Sequence, residues 1–319
     1  MMKRITLSTL LLVFCVLMMG LMALKLSRVD LKVEELARPA RLFNPRLIEC
    51  NFAPRKEWDV HISKDHDAFF YVVSQQTFNW LGRGMQVVVF ETQDGRYVVK
   101  FFQVGRLKEE TPRGFFEDLV SGESESKRQE RRNHREELFS SSKMCFEELQ
   151  DETGIVYVHL NRTRDKIHGM KLVDKYGQSH RIRGDDTCFV VQKKAKYIIP
   201  TFITLMEKGD VDGAKHRIDQ VFDLLLSLAR KGFADGDDAL VRNNNIGFAP
   251  DRAIYIDTGH IFRTQNLDVY ERMMYEFKVR LDPLEHWLNV MYPDLGAYYA
   301  ERREALLTQL KQEKNAPGC

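Results

Sequence analysis

Three short runs decide the reading of this chain: Gly232-Phe233-Ala234-Asp235-Gly236-Asp237-Asp238, then Asn243-Asn244-Asn245-Ile246-Gly247-Phe248, then Ile254-Tyr255-Ile256-Asp257-Thr258-Gly259-His260. Carboxylates after a helix, a carboxamide on the following loop and a carboxylate closing a short strand can converge on one metal–phosphate site. Magnesium takes hard oxygen ligands and usually draws only one or two of them from protein. The plainer alternative is an Asp/Asn/Gly-rich turn. A calcium loop does not fit, because the ligands do not alternate and no terminal Glu stands in register.

Upstream, a second constellation carries complementary chemistry. Leu81-Gly82-Arg83-Gly84-Met85-Gln86 leads into Val87-Val88-Val89-Phe90, and Tyr97-Val98-Val99-Lys100-Phe101-Phe102 follows. Two glycines at a strand-to-strand turn let the backbone approach a phosphate closely. A lysine inside an apolar strand must reach water or meet an anion, since an unpaired buried ammonium is costly. The plain alternative is a glycine-containing hairpin with one edge lysine.

The stretches between and around these runs predict a mixed α and β chain. Thr77–Leu81, Val87–Thr92 and Arg96–Gln103 read as strands, with Gln93-Asp94-Gly95 as the turn between the last two. The charged stretch Glu123–Glu137 runs into Leu138, Ser142, Cys145 and Leu149, the spacing of an amphipathic helix with a solvated first half. Ile155–Leu160 and Cys188–Lys193 read as strands, and Met170–Arg183 as a hairpin around Lys175-Tyr176-Gly177. After Pro200 the chain is mainly helical. Ile218, Val221, Phe222, Leu225 and Leu228 form one stripe ending at Arg230-Lys231-Gly232, Ala253–Ile256 is a short strand, and Met273–Leu310 is helical with breaks at Pro283 and Pro293.

This order (glycine hairpin, strand lysine, helix, strands, helix, Asp loop, Asn, strand, Asp-x-Gly) resembles that of protein kinases. The second cluster is also similar to the catalytic segment of phosphatidylinositol 3- and 4-kinases, in which Gly-Ile-Gly-Asp-Arg-His precedes an Asn and then Ile-Asp-Phe-Gly-His. The resemblance covers roughly residues 77–260. It implies an α+β, two-lobed kinase-like fold, with a β-rich N-lobe over 67–199 and a reduced helical C-lobe over 200–319. It further implies ATP and Mg2+ as cofactors and transfer of a phosphoryl group to a hydroxyl of a protein, lipid or sugar.

Carried over by position, the resemblance assigns Gly82 and Gly84 to the phosphate-covering loop and Lys100 to the α- and β-phosphates. It gives Asp257 the magnesium role, with Thr258 in place of the usual Phe, and Asn245 the second metal position, with Asn243 as fallback. Two aspartates compete for the catalytic base: Asp235 by its context after Gly232, and Asp238 by its five-residue step to Asn243. Glu137, at the edge of the apolar face of its helix, is the expected carboxylate partner of Lys100, with Glu136 beside it. No Ala-Pro-Glu run closes an activation loop, and only about 60 residues follow Asp257. The rival is a catalytically inactive pseudokinase or tethered interaction module. A non-kinase envelope protein follows if the body lies outside the cytoplasm.

At the other end, Ile5–Leu24 holds twenty residues without a charge. At about 1.5 Å per helical residue these match the roughly 30 Å hydrocarbon core of a bilayer. The expectation is a transmembrane anchor over 1–24 and a charged juxtamembrane connector over 25–66. A cleaved signal peptide is the alternative, but the run is longer than the usual apolar core of one. Lys25, Arg28, Lys32, Arg38 and Arg41 outnumber Lys3 and Arg4 across the span, which favours a cytoplasmic body. With 48 basic and 46 acidic residues the formal net charge is +2, no footprint for bulk nucleic-acid binding. Cys50, Cys145, Cys188 and Cys319 show neither metal spacing nor an obvious disulfide framework.

Overall fold

Alternating apolar residues build the main sheet, and one face of it becomes the roof of a cleft. The computed structural model describes residues 43–50, 53–84, 86–103, 125–237, 240–241, 244–265 and 267–316. The chain divides into Met1–Phe43 and Asn44–Cys319, and every element below belongs to the second unit. The expected anchor over 1–24 lies outside the described residues. Among those described, no helix is long and apolar enough to cross a membrane.

Helix α1 (Lys64–Ser74) starts at Ser63, whose hydroxyl accepts the backbone N–H of His66, and Asp65 and Asp67 in its first turn suit the positive end of the helix dipole. It lays Phe70 flat on Tyr157, ring centroids 4.2 Å apart. Strands β1 (Thr77–Arg83), β2 (Val87–Thr92) and β3 (Tyr97–Phe102) form an antiparallel meander. The β2–β3 turn is closed by Asp94, which accepts from the Thr92 hydroxyl and the Arg96 N–H, and by Gly95 at φ +69°.

Helix α2 (Glu125–Glu148) and the short α3 (Gln150–Thr153) lead into β4 (Ile155–His159). Strands β5 (Gly169–Val173) and β6 (Ser179–Arg183) form a hairpin, and β7 (Phe189–Lys193) completes a seven-stranded mixed sheet of order β4-β7-β3-β2-β1-β5-β6. Its parallel pair joins β1 to β5, with Thr77 beside Lys171. Ahead of α1, Trp58 is buried edge-on against Phe139 of α2. Residues from Asn44 onward thus share a unit with the sheet and helices.

The second half is helical with three small strand pairings. Strand β8 (Lys196–Tyr197) precedes α4 (Ile198–Glu207) and α5 (Val211–Arg230). The stripe Ile218, Val221, Phe222, Leu225 and Leu228 is buried as its spacing predicts. Strands β9 (Phe233–Asp235) and β12 (Ile261–Arg263) pair with each other, whereas β10 (Ile246–Phe248) lies between β11 (Ala253–Tyr255) and β8. At Gly247 a Cβ would stand 2.5 Å from the Lys196 carbonyl oxygen, so only glycine allows β8 to approach β10.

Helix α6 (Val269–Tyr275) passes through a π-helical turn at Glu276–Arg280 into α7 (Asp282–Met291) and α8 (Pro293–Asn315). Pro283 and Pro293 sit in the first turns of α7 and α8. They start helices instead of breaking one, because a proline costs no hydrogen bond at a helix N-terminus. The whole is a mixed α+β body whose largest core joins β4, β7 and α2 to α5, α7 and α8.

Candidate functional site

A cleft of about 860 Å³ runs between the main sheet and the small strands β8, β10 and β11, within the size range of small-molecule sites. Its lining includes Gly82, Gly84, Lys100, Asn245 and Asp257. Residues as distant in sequence as Gly82 and Asp257 therefore share one cavity.

The roof begins at the glycine turn. The Gly84 N–H donates to the Val87 carbonyl over 2.9 Å, and β1 carries a bulge between Trp80 and Gly82. A Cβ at Gly82 would meet nothing within 4 Å, so the backbone here faces open space. The turn is pinned by Gln103, a buried amide at the end of β3. Its Nε2 donates to the Gly84 carbonyl (2.8 Å) and the Val87 carbonyl (3.2 Å), while its Oε1 accepts from Arg83 Nε at 2.7 Å.

Lys100 projects from β3 on the cleft face, beside Val89 of β2 and Val190 of β7. Its ammonium donates to the carbonyl of Ile256, the residue before Asp257. Burial holds the Lys100 pKa below the ordinary lysine value, and the negative charge of Asp257 opposes that shift. The ammonium therefore lies within the field of the Asp257 carboxylate. Gln192 of β7 adds a second tie: its Nε2 donates to the Thr153 carbonyl at 2.6 Å and the Tyr255 carbonyl at 2.7 Å. Lys100 and Gln192 together hold the end of β11, and hence Asp257, against the sheet.

The floor centres on Asp237, a residue outside the sequence-based choice of base. Its Oδ2 accepts from Asn245 Nδ2 at 2.6 Å, and both residues line the cleft. Asn245 is buried, its N–H donates to the Leu240 carbonyl, and its own carbonyl accepts the N–H of Ile256 at 2.6 Å. The pairing thus ties the loop carboxylate, the loop carboxamide and the approach to Asp257 into one frame. Asp257 is exposed to the cleft, and its Oδ1 accepts the Gly259 N–H. From α2, the Ser141 hydroxyl donates to the carbonyls of Thr258 and Ile261 and steadies the Asp257-Thr258-Gly259 turn.

Asp235 does not line the cleft. As the last residue of β9 it is buried in an ion pair with Arg280, whose Nε also donates to the Asp237 carbonyl at 2.9 Å. Arg280 further grips both oxygens of Glu276, at 2.8 and 2.9 Å. Burial raises the Asp235 pKa, opposed by Arg280. Burial also works against the charge of Arg280, but Tyr255, Glu276 and Asp235 outweigh it and raise its pKa. Asp235 is thus a structural anchor: all three residues of β9 are buried, and Arg280 supplies the cation that lets a carboxylate stay there. Asp238 and Asn243 lie outside the described residues.

Glu137 is exposed and lies 4.0 Å from His134, while Glu136 binds Arg55 at 2.6 Å and Trp58 Nε1 at 3.1 Å. Neither carboxylate reaches Lys100. The α2 residues that line the cleft are Leu138 and Ser142, so this helix turns an apolar and a hydroxyl side chain toward it.

Asp237, Gln103 and Gln192 escaped the sequence reading. The signal for the two glutamines was a lone amide ending or interrupting an apolar strand, which demands hydrogen-bond partners once buried. For Asp237 it was the position just beyond a short strand, legible only when the limits of β9 are known.

The chain matches no protein-family model and no curated protein. Among solved structures it is similar to WbdD. A 2.2 Å crystal structure of WbdD aligns with 14% identity and a TM-score of 0.36, over 72% of this chain and 49% of that one. A structure of WbdD as a bifunctional kinase-methyltransferase gives 15% identity, a TM-score of 0.35, and coverage of 72% and 50%. Monomeric WbdD gives 16%, 0.35, 69% and 48%. The chain spans about half the length of these structures.

Proposed function

We propose that this protein is a membrane-anchored, kinase-like phosphotransferase that moves the γ-phosphoryl group of ATP to a hydroxyl acceptor on a protein, lipid or sugar. One observation carries the reading: Lys100, Asp237, Asn245 and Asp257 line a single cleft beneath an open glycine turn. The anchor assigned to residues 5–24 and a cytoplasmic body complete it.

The donor set suits the cofactor. Among the described residues no group of three His, Cys, Asp or Glu could hold a metal ion by itself. Asp257 and Asn245 offer a carboxylate and a carboxamide oxygen, and a magnesium ion commonly completes its shell with phosphate and water. Bound there, the ion would neutralise phosphate charge. Lys100 would exchange the Ile256 carbonyl for phosphate oxygens. The glycine turn, free of side chains at Gly82 and Gly84, would let backbone N–H groups approach the phosphates. Asp237, held by Asn245 and by Arg280 through its own carbonyl, would orient the acceptor hydroxyl and take its proton. The hydroxyl oxygen would bond to the γ-phosphorus as the bond to the leaving ADP oxygen breaks.

A second reading has its own observation. Lys100 rests on the Ile256 carbonyl, and neither Glu136 nor Glu137 is paired with it, which favours a pseudokinase or interaction module that keeps the cleft without turnover. Thermal unfolding with ATP and Mg2+ separates the two readings from a cleft that binds no nucleotide. A magnesium-dependent stabilisation of wild type, absent in Lys100→Ala and Asp257→Ala, supports a nucleotide site. No stabilisation of wild type sinks it. Release of ADP by wild type but not by Asp237→Ala then establishes transfer or hydrolysis, and binding without turnover supports the pseudokinase.

A further inference from the structure

The β5–β6 hairpin sorts its residues by face. Met170, Leu172 and Ile182 are buried, while Lys171, Arg181 and Arg183 on the opposite face are exposed. Lys171 stands directly across from Arg181, and Gly169 across from Arg183. Like charges placed opposite one another in an antiparallel pair repel. Among the described residues no carboxylate pairs with Lys171 or Arg181, and the nearest relief for Arg183 is a 3.4 Å contact with Asp186.

The surrounding segment reinforces the pattern. Residues 162–183 contain seven Lys or Arg and two Asp, in a chain whose formal net charge is only +2. At the hairpin tip Tyr176 is 48% exposed, and Lys175 Nζ lies 4.8 Å from its ring centroid. A ring and a lysine at one tip suit the boundary between headgroups and water, where amphipathic aromatics and basic residues collect.

The register places this cationic face on the cleft side of the sheet. Thr77 pairs with Lys171, Asn79 with Glu91, and Glu91 with Val98, which lines the cleft. Glu91 itself is paired with Lys194, so the acid on that face does not neutralise the hairpin.

We infer that the β5–β6 hairpin docks on an anionic phospholipid bilayer, with Lys171, Arg181 and Arg183 against lipid phosphates and Tyr176 among the headgroups. Charge complementarity calls for an anionic surface, the exposed Tyr176 at the tip favours a bilayer over a soluble polyanion, and the apolar Ile5–Leu24 run in the same chain points to the same occupant. The inference goes beyond the phosphotransferase reading and stands whether or not the cleft transfers phosphate.

The test uses the full chain carrying Gln178→Cys at the exposed turn, with Cys15 and Cys319 replaced by Ser, labelled with a fluorophore and reconstituted in vesicles containing brominated lipid. Quenching should be several-fold stronger in phosphatidylserine-rich vesicles than in phosphatidylcholine alone, and should weaken as salt is raised. The triple variant Lys171→Glu/Arg181→Glu/Arg183→Glu should lose it with an unchanged circular dichroism spectrum. The milder Lys171→Gln/Arg181→Gln pair replaces it if the triple variant does not fold. Equal quenching in both lipids, or full quenching in a folded charge variant, overturns the proposal. A fluorescence change with heparin but none with vesicles overturns the bilayer in favour of a soluble polyanion.

Discussion

The roof and the floor of the cleft are built by different means. The roof is a wide sheet of strands five to seven residues long around Lys100, and its registers follow from alternating apolar residues and short turns. The floor is made of two- and three-residue strands that hold Asp237, Asn245 and Asp257 only through contacts with distant parts of the chain. Long alternating strands specify their own faces, because a slip of one residue would turn every apolar side chain to water. A three-residue strand carries too little pattern to do so. Its partners decide which of two nearby carboxylates faces the cleft.

Substitutions at Asp235 and Asp237 break this comparison most sharply. On the proposed reading, Asp237→Ala should lower phosphoryl transfer by about 10²–10⁴-fold, the usual worth of a positioned acid or base, while its cost in the urea midpoint, from the unpaired Asn245 amide, stays below that of Asp235→Ala. Asp235→Ala should instead destabilise the chain. Loss of transfer from a still-stable Asp235→Ala protein would reverse the two roles. Arg280→Ala comes next. It strands the buried Asp235 and leaves Glu276 with Arg272 alone, and removal of one partner from such a network costs about 3–5 kcal/mol. Equilibrium urea unfolding measures it, and a change below about 1 kcal/mol would contradict the network as described.

The roof has its own signature in acid. Burial lowers the pKa of His159 to about 4, where its Nδ1 lies 2.6 Å from the Thr187 carbonyl and its Nε2 3.1 Å from the Thr163 hydroxyl. Protonation therefore favours the unfolded chain. Stability is fully present above the ordinary histidine value of about 6.5 and is lost as pH falls from there toward 4, by on the order of 3 kcal/mol. Unfolding midpoints across that range should slope, and His159→Gln should flatten the slope.

Smaller effects sharpen the contact between the two parts. Gln192→Leu leaves the Thr153 and Tyr255 carbonyls unpaired and should cost about 1–3 kcal/mol, while loosening the end of β11 enough to weaken nucleotide binding. Gly82→Ala should be smallest in stability, within about 0.5 kcal/mol, because its Cβ points into open space. Its expected effect is on nucleotide affinity, read by the same thermal-shift titration.

Much of the roof was legible from residues alone. The three-strand meander, the Asp94–Gly95 turn, the hairpin around Gly177 and the buried stripe of α5 all follow from local pattern. So did the shared cleft position of Gly82, Gly84, Lys100, Asn245 and Asp257, expected from a resemblance in motif order. The partner of Lys100 was not legible. Glu137 has the right charge on the right helix, but the rotation of α2 about its axis directs Leu138 and Ser142 to the cleft and leaves Glu137 exposed. Helix phase relative to a neighbour is a packing outcome, set here by Trp58 and Phe102 against Phe139.

By itself the sequence determined the α+β class, the order of the elements and the chemical types gathered near the cleft, because period, turn residues and charge act over a few residues at a time. Only the tertiary structure decided which groups of those types meet. Arg280, some 45 residues downstream, takes Asp235 into the interior and leaves Asp237 to the cleft. That choice rests on the cost of burying a carboxylate without a cation, a condition no local pattern can satisfy.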